Sequence, residues 1–410
     1  MVDTAPIRAF LEPHHLQLAQ DGAAFAQETI APLGDAGDDD TARHRAREIC
    51  GSLGSGGWLA PIGAQDFRGC CLVREALAYV SPLADAVFAL QGLGATPIAI
   101  AGSGEQRERW LEPALRGEAI AAFAMTEPQA GSDVASLQTT AVLDGDHYRL
   151  SGIKTLISNA GIADFYIVFA MTDPGAGTRG ISAFIIPSDA AGLRFVKAQV
   201  LAEPHPLGEI GFEECRVPAQ ARIGSEGAGF SLGMATLDRL RPTVGAAACG
   251  MAARALREAL EHAVERVQFG RSLSDFGITQ DKLGRMATDL TAARLLVYRA
   301  AWERDRGAER TDVASAMAKA FATETSQRVV DDAVQILGGR GVLADHPVDR
   351  LYRAVRALRI YEGATEIQRL IVANGLIRGV RETGKKRTES DPEHTALAPD
   401  RTASGGEEQA

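Results

Sequence analysis

The chain has 410 residues, a formal net charge of -10 and 46% hydrophobic residues. That length suits roughly two or three domains with a large core, and the acidic balance argues against nucleic acid as a partner, because phosphate binding needs a basic face. Aromatics make up only 6% and alanine is abundant, which favours packed helices.

Cys50, Cys70, Cys71, Cys215 and Cys249 are odd in number and form no Cys-x-x-Cys. Reduced thiols in a cytoplasmic protein are the simplest expectation. The eight histidines show no ligand spacing, so no metal site is expected. Met1-Val2-Asp3-Thr4 begins no basic-then-apolar leader, and no uninterrupted apolar run reaches about 18 residues, so no membrane span is expected.

In chain order, residues 1–120 read as a helical domain. Phe10, Leu11, Leu16, Leu18, Phe25 and Ile30 keep a helical rhythm, Gly34 to Asp40 is a polar loop, and Pro82, Gly92, Gly94 and Pro97 punctuate later helices. From 121 to 225 the texture becomes β. Tyr166–Ala170 and Ile181–Ile186 are predicted strands, and Asp144-Gly145-Asp146 and Asp173-Pro174-Gly175 are turns. From 226 to 380 the helical period returns, with Val313, Met317 and Phe321 on one face and Val330, Val334 and Leu337 on another. Residues 381–410 are polar and read as a disordered tail. The predicted fold class is therefore mainly α with a central β domain: an N-terminal helical domain, a β-sandwich or barrel-like middle and a C-terminal four-helix bundle. No βαβ alternation occurs, which argues against a dinucleotide-binding sheet.

Two glycine patterns mislead. Gly175 to Gly180 fits the dinucleotide fingerprint but precedes a strand instead of a helix, so it reads as a hairpin loop. Gly379 to Lys386 nearly fits a phosphate loop, but Lys386 stands where Ser or Thr is required.

Four segments carry chemistry. Ala124 to Asp133 combines hydroxyls, Pro128 and Gly131, a surface able to cradle a planar heterocycle, and equally an ordinary capped turn. Glu265 to Arg271 offers Arg266 to a diphosphate, or is a helix end with surface arginines. Gln335 to Gly341 closes a long helix on glycines whose N–H groups could approach a phosphate, or is a plain C-cap. Ile360-Tyr361-Glu362-Gly363 sets a carboxylate on a bend before a helix start, with Thr365 as N-cap and Gln368 completing a capping box. A fixed carboxylate in a partly apolar setting suits proton abstraction. The alternative is a solvated loop charge.

In this order, the Thr126–Asp133, Gln335–Gly341 and Tyr361-Glu362-Gly363 segments resemble the acyl-CoA dehydrogenase family over about residues 6–380. The resemblance implies FAD between the β domain and the C-terminal helices, and an acyl-CoA thioester against the flavin. Met125 and Thr126 would line the isoalloxazine and Ser158 would bond near N5. Arg266, Phe269, Gln335 and Gly339 would hold the diphosphate and adenosine, partly across a subunit boundary. Ser132, Asp238 and Arg241 would contact the CoA side, Leu240 and Tyr361 would border the acyl pocket, and Glu362 would be the base. The resemblance further implies an electron-transferring flavoprotein as acceptor and a homotetramer, a dimer of dimers.

The chain departs from the family pattern at Leu156, where an aromatic ring is usual, at Ala364, where a threonine is usual and Thr365 is the nearest hydroxyl, and at Gly277, often glutamine. The Trp58–Cys71 segment looks shortened. The alternatives to a dehydrogenase are a flavin oxidase or monooxygenase on the same fold, and a catalytically silent acyl-CoA-binding protein. Leu240, where some subfamilies carry their base, cannot abstract a proton, which favours Glu362.

Overall fold

The structure, a computed structural model, describes residues 2–389. The N-terminal helices are α1 (Pro13–Phe25), α2 (Asp39–Ser55), the short α3 (Ala60–Ala64), α4 (Phe67–Val80), α5 (Pro82–Ala101) and the short α6 (Gly104–Gln106) and α7 (Glu112–Leu115). Local chemistry sets their starts. Asp38 accepts from the Thr41 N–H to cap α2, Asp66 accepts from Gly69 to cap α4, and Ser81 accepts from Ala84 with Pro82 at the first turn of α5. The Trp58–Cys71 segment is where α3 ends on a left-handed Gln65 (φ 54°) and α4 begins.

Helix α5 is long and apolar enough to cross a membrane by length and composition, with a hydropathy of 1.5, yet 72% of that window is buried inside the protein. Its polar side chains confirm a core role. Asp85 pairs with Arg74, and Gln91 donates to the carbonyls of Ala114 and Ala119 and accepts from the Ala121 N–H.

The middle region holds β1 (Ala121–Ala124), β2 (Thr140–Asp144), β3 (His147–Ser158), β4 (Phe165–Met171), β5 (Ile181–Pro187), β6 (Leu193–Ala198), β7 (Leu207–Pro218) and β8 (Arg222–Ile223). They form one sheet in the order β6-β7-β3-β2-β4-β5-β8, with β1 added parallel to β4. Its two parts join through the single pair Thr140 and Met171. Strands β4 and β5 are buried at nearly every position, so they read as continuous apolar runs. The Gly175–Gly180 pattern lies in a 3-10 turn connecting antiparallel β4 and β5, as the hairpin reading expects.

The C-terminal helices are α8 (Gly229–Glu265), α9 (Gly277–Asp305), α10 (Asp312–Leu337), α11 (Pro347–Leu358) and α12 (Thr365–Glu389), with a small hairpin, β9 (Val267–Gln268) and β10 (Arg271–Ser272), between α8 and α9. Helix α8 packs on α4, α9 and α10, and small residues allow it. At Gly250 of α8 an added Cβ would stand 2.3 Å from the Glu75 carbonyl of α4. The Glu75 carboxylate accepts from Arg294 Nε (2.7 Å) and the Tyr298 hydroxyl (2.8 Å) of α9, tying the N- and C-terminal helices together.

The expected disordered tail from residue 381 is corrected in part. Helix α12 continues to Glu389, because Arg, Glu and Lys favour a helix and no proline intervenes before Pro392. The near phosphate-loop pattern from Gly379 to Lys386 therefore lies within that helix. Residues 390–410 of the expected tail lie outside the described residues.

Candidate active site

Glu362 lies on the turn between α11 and α12. Glu362 (φ 53°) and Gly363 (φ 93°) are both left-handed, a conformation that costs free energy for a residue with a Cβ and so must be imposed by its surroundings. The backbone N–H of Glu362 has no partner among the described residues, whereas those of Ile360 and Tyr361 bond the Ala357 carbonyl and that of Thr365 bonds the Arg359 carbonyl. The residue is half-buried, but its Oε2 is sealed from solvent without a hydrogen bond. Burial raises the carboxyl above its ordinary range, and Arg74, Lys319 and Arg241 pull it the other way.

The expected capping box does not form. Thr365 is the first residue of α12, and its hydroxyl donates to Glu324 Oε1 (2.8 Å) instead of capping. Gln368 turns its amide onto the carbonyls of Glu362 (3.2 Å) and Gly363 (2.9 Å). A tertiary partner, Glu324, outcompetes the local cap. Thr365 is 3% exposed with that hydroxyl engaged, so it is not presented as the free cofactor contact expected of it.

Three cations surround the turn. Arg74 of α4 clasps Asp85 of α5 through two bonds (2.7 and 3.0 Å) and donates to the Thr243 hydroxyl of α8 (2.9 Å). The Tyr361 hydroxyl lies against Arg74, and burial, with Asp85 adding, raises that phenol. Lys319 of α10 donates to the Gly363 carbonyl (2.8 Å), and burial pulls its ammonium down to about 8. Arg241 of α8 pairs with Asp238, so these two expected CoA contacts engage each other. Leu240, between them, is buried close to Gly92 of α5.

The β domain supplies a second group. Met125 and Thr126 follow β1 directly. Met125 is buried, while the Thr126 carbonyl accepts from the Thr155 N–H (3.0 Å) and its hydroxyl has no partner among the described residues. Opposite them β3 bulges: the β3–β7 register slips between Lys154 and Ile157, and Leu156 takes a left-handed φ of 55° with its side chain exposed. Gln199 fixes the bulge, accepting from the Leu156 N–H (2.8 Å) and donating to the Thr155 hydroxyl (2.9 Å). Ser158 Oγ lies 3.1 Å from His205 Nε2, and burial pulls that imidazole down to about 4. The Asn159 Oδ1 is buried without a partner. Ser132 is exposed on the loop after Gly131.

A third group forms a cleft of about 610 Å3 between the end of α8 and the end of α10, lined by His262, Glu265, Arg266, Leu337, Gly339, Arg340 and Leu343. Arg266 and Gly339 thus meet as expected, and the sequence reading missed Arg340 and His262. An added Cβ at Gly338 or Gly339 would meet nothing within 4 Å, so the backbone there is open to a ligand. Gln335 is exposed one turn earlier, and Phe269 is 95% exposed at the β9–β10 turn.

These observations fit FAD. A bare glycine backbone beside arginines suits a diphosphate, while the free Thr126 hydroxyl, the Ser158 hydroxyl and the orphaned Asn159 oxygen suit a polar heterocycle. Sequence reasoning also missed Arg74, Lys319 and His205, and it gave Gln368 only a capping role. The available signal was charge out of place: Arg74 follows the apolar run Cys70-Cys71-Leu72-Val73, and Lys319 stands between Ala318 and Ala320.

The N-terminal, middle and C-terminal domain families of acyl-CoA dehydrogenase match residues 12–118, 122–215 and 227–377. The chain belongs to the acyl-CoA dehydrogenase family and is an FAD-dependent oxidoreductase. It is 38% identical over 378 residues to the probable acyl-CoA dehydrogenase FadE25 of Mycobacterium tuberculosis, covering 90% of this chain and 96% of the relative. It is also 38% identical over 381 residues to the 3-(aryl)acrylate reductase of Clostridium sporogenes, covering 90% and 100%. Among solved structures, the butyryl-CoA dehydrogenase of Megasphaera elsdenii superposes with a TM-score of 0.83 at 34% identity, over 90% of this chain and 99% of that one.

Proposed function

We propose that the chain dehydrogenates an acyl-CoA thioester to the 2-enoyl-CoA, with Glu362 removing the α-proton. The observation that carries this reading is the Glu362 carboxylate: Oε2 is buried and unpartnered, its proton affinity is raised, and the turn beneath it is held rigidly. A thioester α-carbon is a weak acid, so a base of ordinary carboxylate strength would be poorly matched to it, and burial narrows the mismatch. The unpaired Glu362 N–H supplies a donor for the developing negative charge on the thioester oxygen. FAD, when bound, supplies the acceptor for the β-hydride. Met125, Thr126 and Ser158 would hold its ring, and Arg266, Phe269, Gln335 and Gly339 its diphosphate and adenosine. Asp238 and Arg241 would meet the CoA side with Ser132, and Leu240 and Tyr361 would border the acyl group.

The same reading carries an electron-transferring flavoprotein as acceptor, a homotetramer and a cytoplasmic place of action, the last supported by five unpaired, buried cysteines. The experiment is anaerobic titration of the purified flavoprotein with straight, branched, cyclic and aryl-containing acyl-CoAs. Bleaching of the flavin by one class is expected; no bleaching by any of them would refute the reading.

The second reading, a flavin oxidase, is favoured by Leu156, 57% exposed at the bulge where an aromatic ring is usual. Stoichiometric peroxide on aerobic turnover, with no reduction of an artificial acceptor, would select it.

A further inference from the structure

The left-handed Glu362-Gly363 turn is held from two sides by fully buried side chains. Lys319 Nζ donates to the Gly363 carbonyl (2.8 Å) from α10, and Gln368 Nε2 donates to both carbonyls of the turn from α12. Both residues are 0% exposed. The Lys319 ammonium forms no ion pair within 4.0 Å among the described residues, and the Gly363 carbonyl is the only hydrogen-bond partner of its Nζ there. A buried ammonium with one neutral acceptor is costly, and a methionine of similar volume would fill the space without burying charge. Its chemical return is its position behind the carboxylate.

We propose that Lys319 is a positioning residue for the Glu362 base, its ammonium locking the Gly363 carbonyl and adding its positive charge to those of Arg74 and Arg241 near the buried, unpartnered carboxylate. This rests on the reading of Glu362 as base and deepens it. Fixing the carbonyls on either side of the Gly363 peptide fixes the φ and ψ of the turn. That in turn aims both the carboxylate and the free Glu362 N–H. Gln368 shares the locking and carries no charge, so the two functions are separable.

The charged groups facing Lys319 are Glu362 and Glu366 from the turn and α12, Arg241 from α8, and Glu324 from its own helix. Arg74 and Asp85 act on Glu362 from α4 and α5. At neutral pH the ammonium is charged, and it is lost as pH rises through about 8. Glu362 and Lys319 therefore titrate as a coupled pair, with a working window between the two steps.

The test compares Lys319→Met, Lys319→Gln and Gln368→Leu in the FAD-loaded protein. The readouts are the rate of flavin reduction by an acyl-CoA that bleaches the wild type, measured from pH 5.5 to 9.5, FAD content and thermal midpoint. In Lys319→Met the rate is expected to fall tenfold or more, the acid limb to move to higher pH and the alkaline limb near 8 to vanish, with FAD content retained. Lys319→Gln should restore part of the rate and none of the alkaline limb, because it returns a donor without the charge. Gln368→Leu should lower the rate and leave both limbs in place. A Lys319→Met or Lys319→Gln protein with the wild-type pH profile would overturn the proposal, as would a rate that falls only in proportion to lost FAD. If Lys319→Met does not fold, Lys319→Gln decides by the same limbs. Glu362→Gln separates the two readings: full activity there refutes the base itself, whereas an inactive Glu362→Gln beside an unaltered Lys319→Met refutes only the role of Lys319.

Discussion

Lys154 Nζ stands 2.7 Å from Glu127 Oε1, and both side chains are sealed from solvent. Glu127 also accepts from the backbone N–H groups of Gln138 (2.6 Å) and Thr139 (2.9 Å), and Lys154 donates to the Met125 carbonyl (3.1 Å). The pair pins the Met125-Thr126 segment to the strand that bulges at Leu156, so it fixes the distance between the two segments. Burial opposes ionisation of Glu127, but Lys154 and the N–H donors prevail and hold it below the usual range. Lys154→Met is expected to lower stability by about 3–5 kcal/mol, the cost of leaving a buried charge without its partner. The sign with pH follows. A carboxyl depressed in the folded state stabilises above its unfolded value of 4.5, and that stability is lost as pH falls through the folded value. The destabilisation by Lys154→Met should therefore be largest near neutral pH and shrink as the pH falls and Glu127 is protonated, as monitored by circular dichroism of unfolding at several pH values.

Glu362→Gln should reduce turnover by about 10²–10⁴-fold, the usual worth of a positioned general base, with the flavin spectrum preserved. Because burial raises the carboxyl above 4.5, kcat/KM should fall on the acid side at a pH above the ordinary carboxylate range. A limb at or below that range would show that the carboxylate is solvated in the free enzyme.

All five cysteines are buried, and burial raises every thiol. Reactivity needs the thiolate and access to it. Iodoacetamide at neutral pH should therefore label the native protein far more slowly than the unfolded chain, in which every cysteine reacts, as counted by intact mass.

Gly250→Ala should cost about 1–3 kcal/mol, the usual penalty of overpacking, because its Cβ would meet the Glu75 carbonyl at 2.3 Å. The loss would appear as a lower thermal midpoint. Gly284→Ala, on the neighbouring α9 with nothing within 4 Å, serves as the matched control and should be neutral or slightly stabilising.

The order helix, sheet, helix was legible because periodicity is a local property: β4 and β5 announce themselves as apolar runs, and α10 as a stripe closed by Gly338. The Glu362 bend was legible for a similar reason, since a glycine beside a carboxylate marks a special backbone. Its capping box was misread, because Glu324, 41 residues earlier, takes the Thr365 hydroxyl. The end of the chain was misread in the opposite sense, because polarity was weighed above the helix propensity that extends α12 to Glu389.

By itself, then, the sequence determined the fold class, which rests on local patterns of apolarity and glycine, and it marked Glu362 as the candidate base through its resemblance to the family. Only the tertiary structure decided the environment of that carboxylate. Arg74 from α4, Arg241 from α8 and Lys319 from α10 converge on one turn. The charge acting on Glu362 thus depends on helices far apart in the chain, and no spacing in the sequence records their proximity. Burial and long-range charge are properties of the packed molecule: burial raises the proton affinity of Glu362 above that of its residue type, and the three cations oppose it.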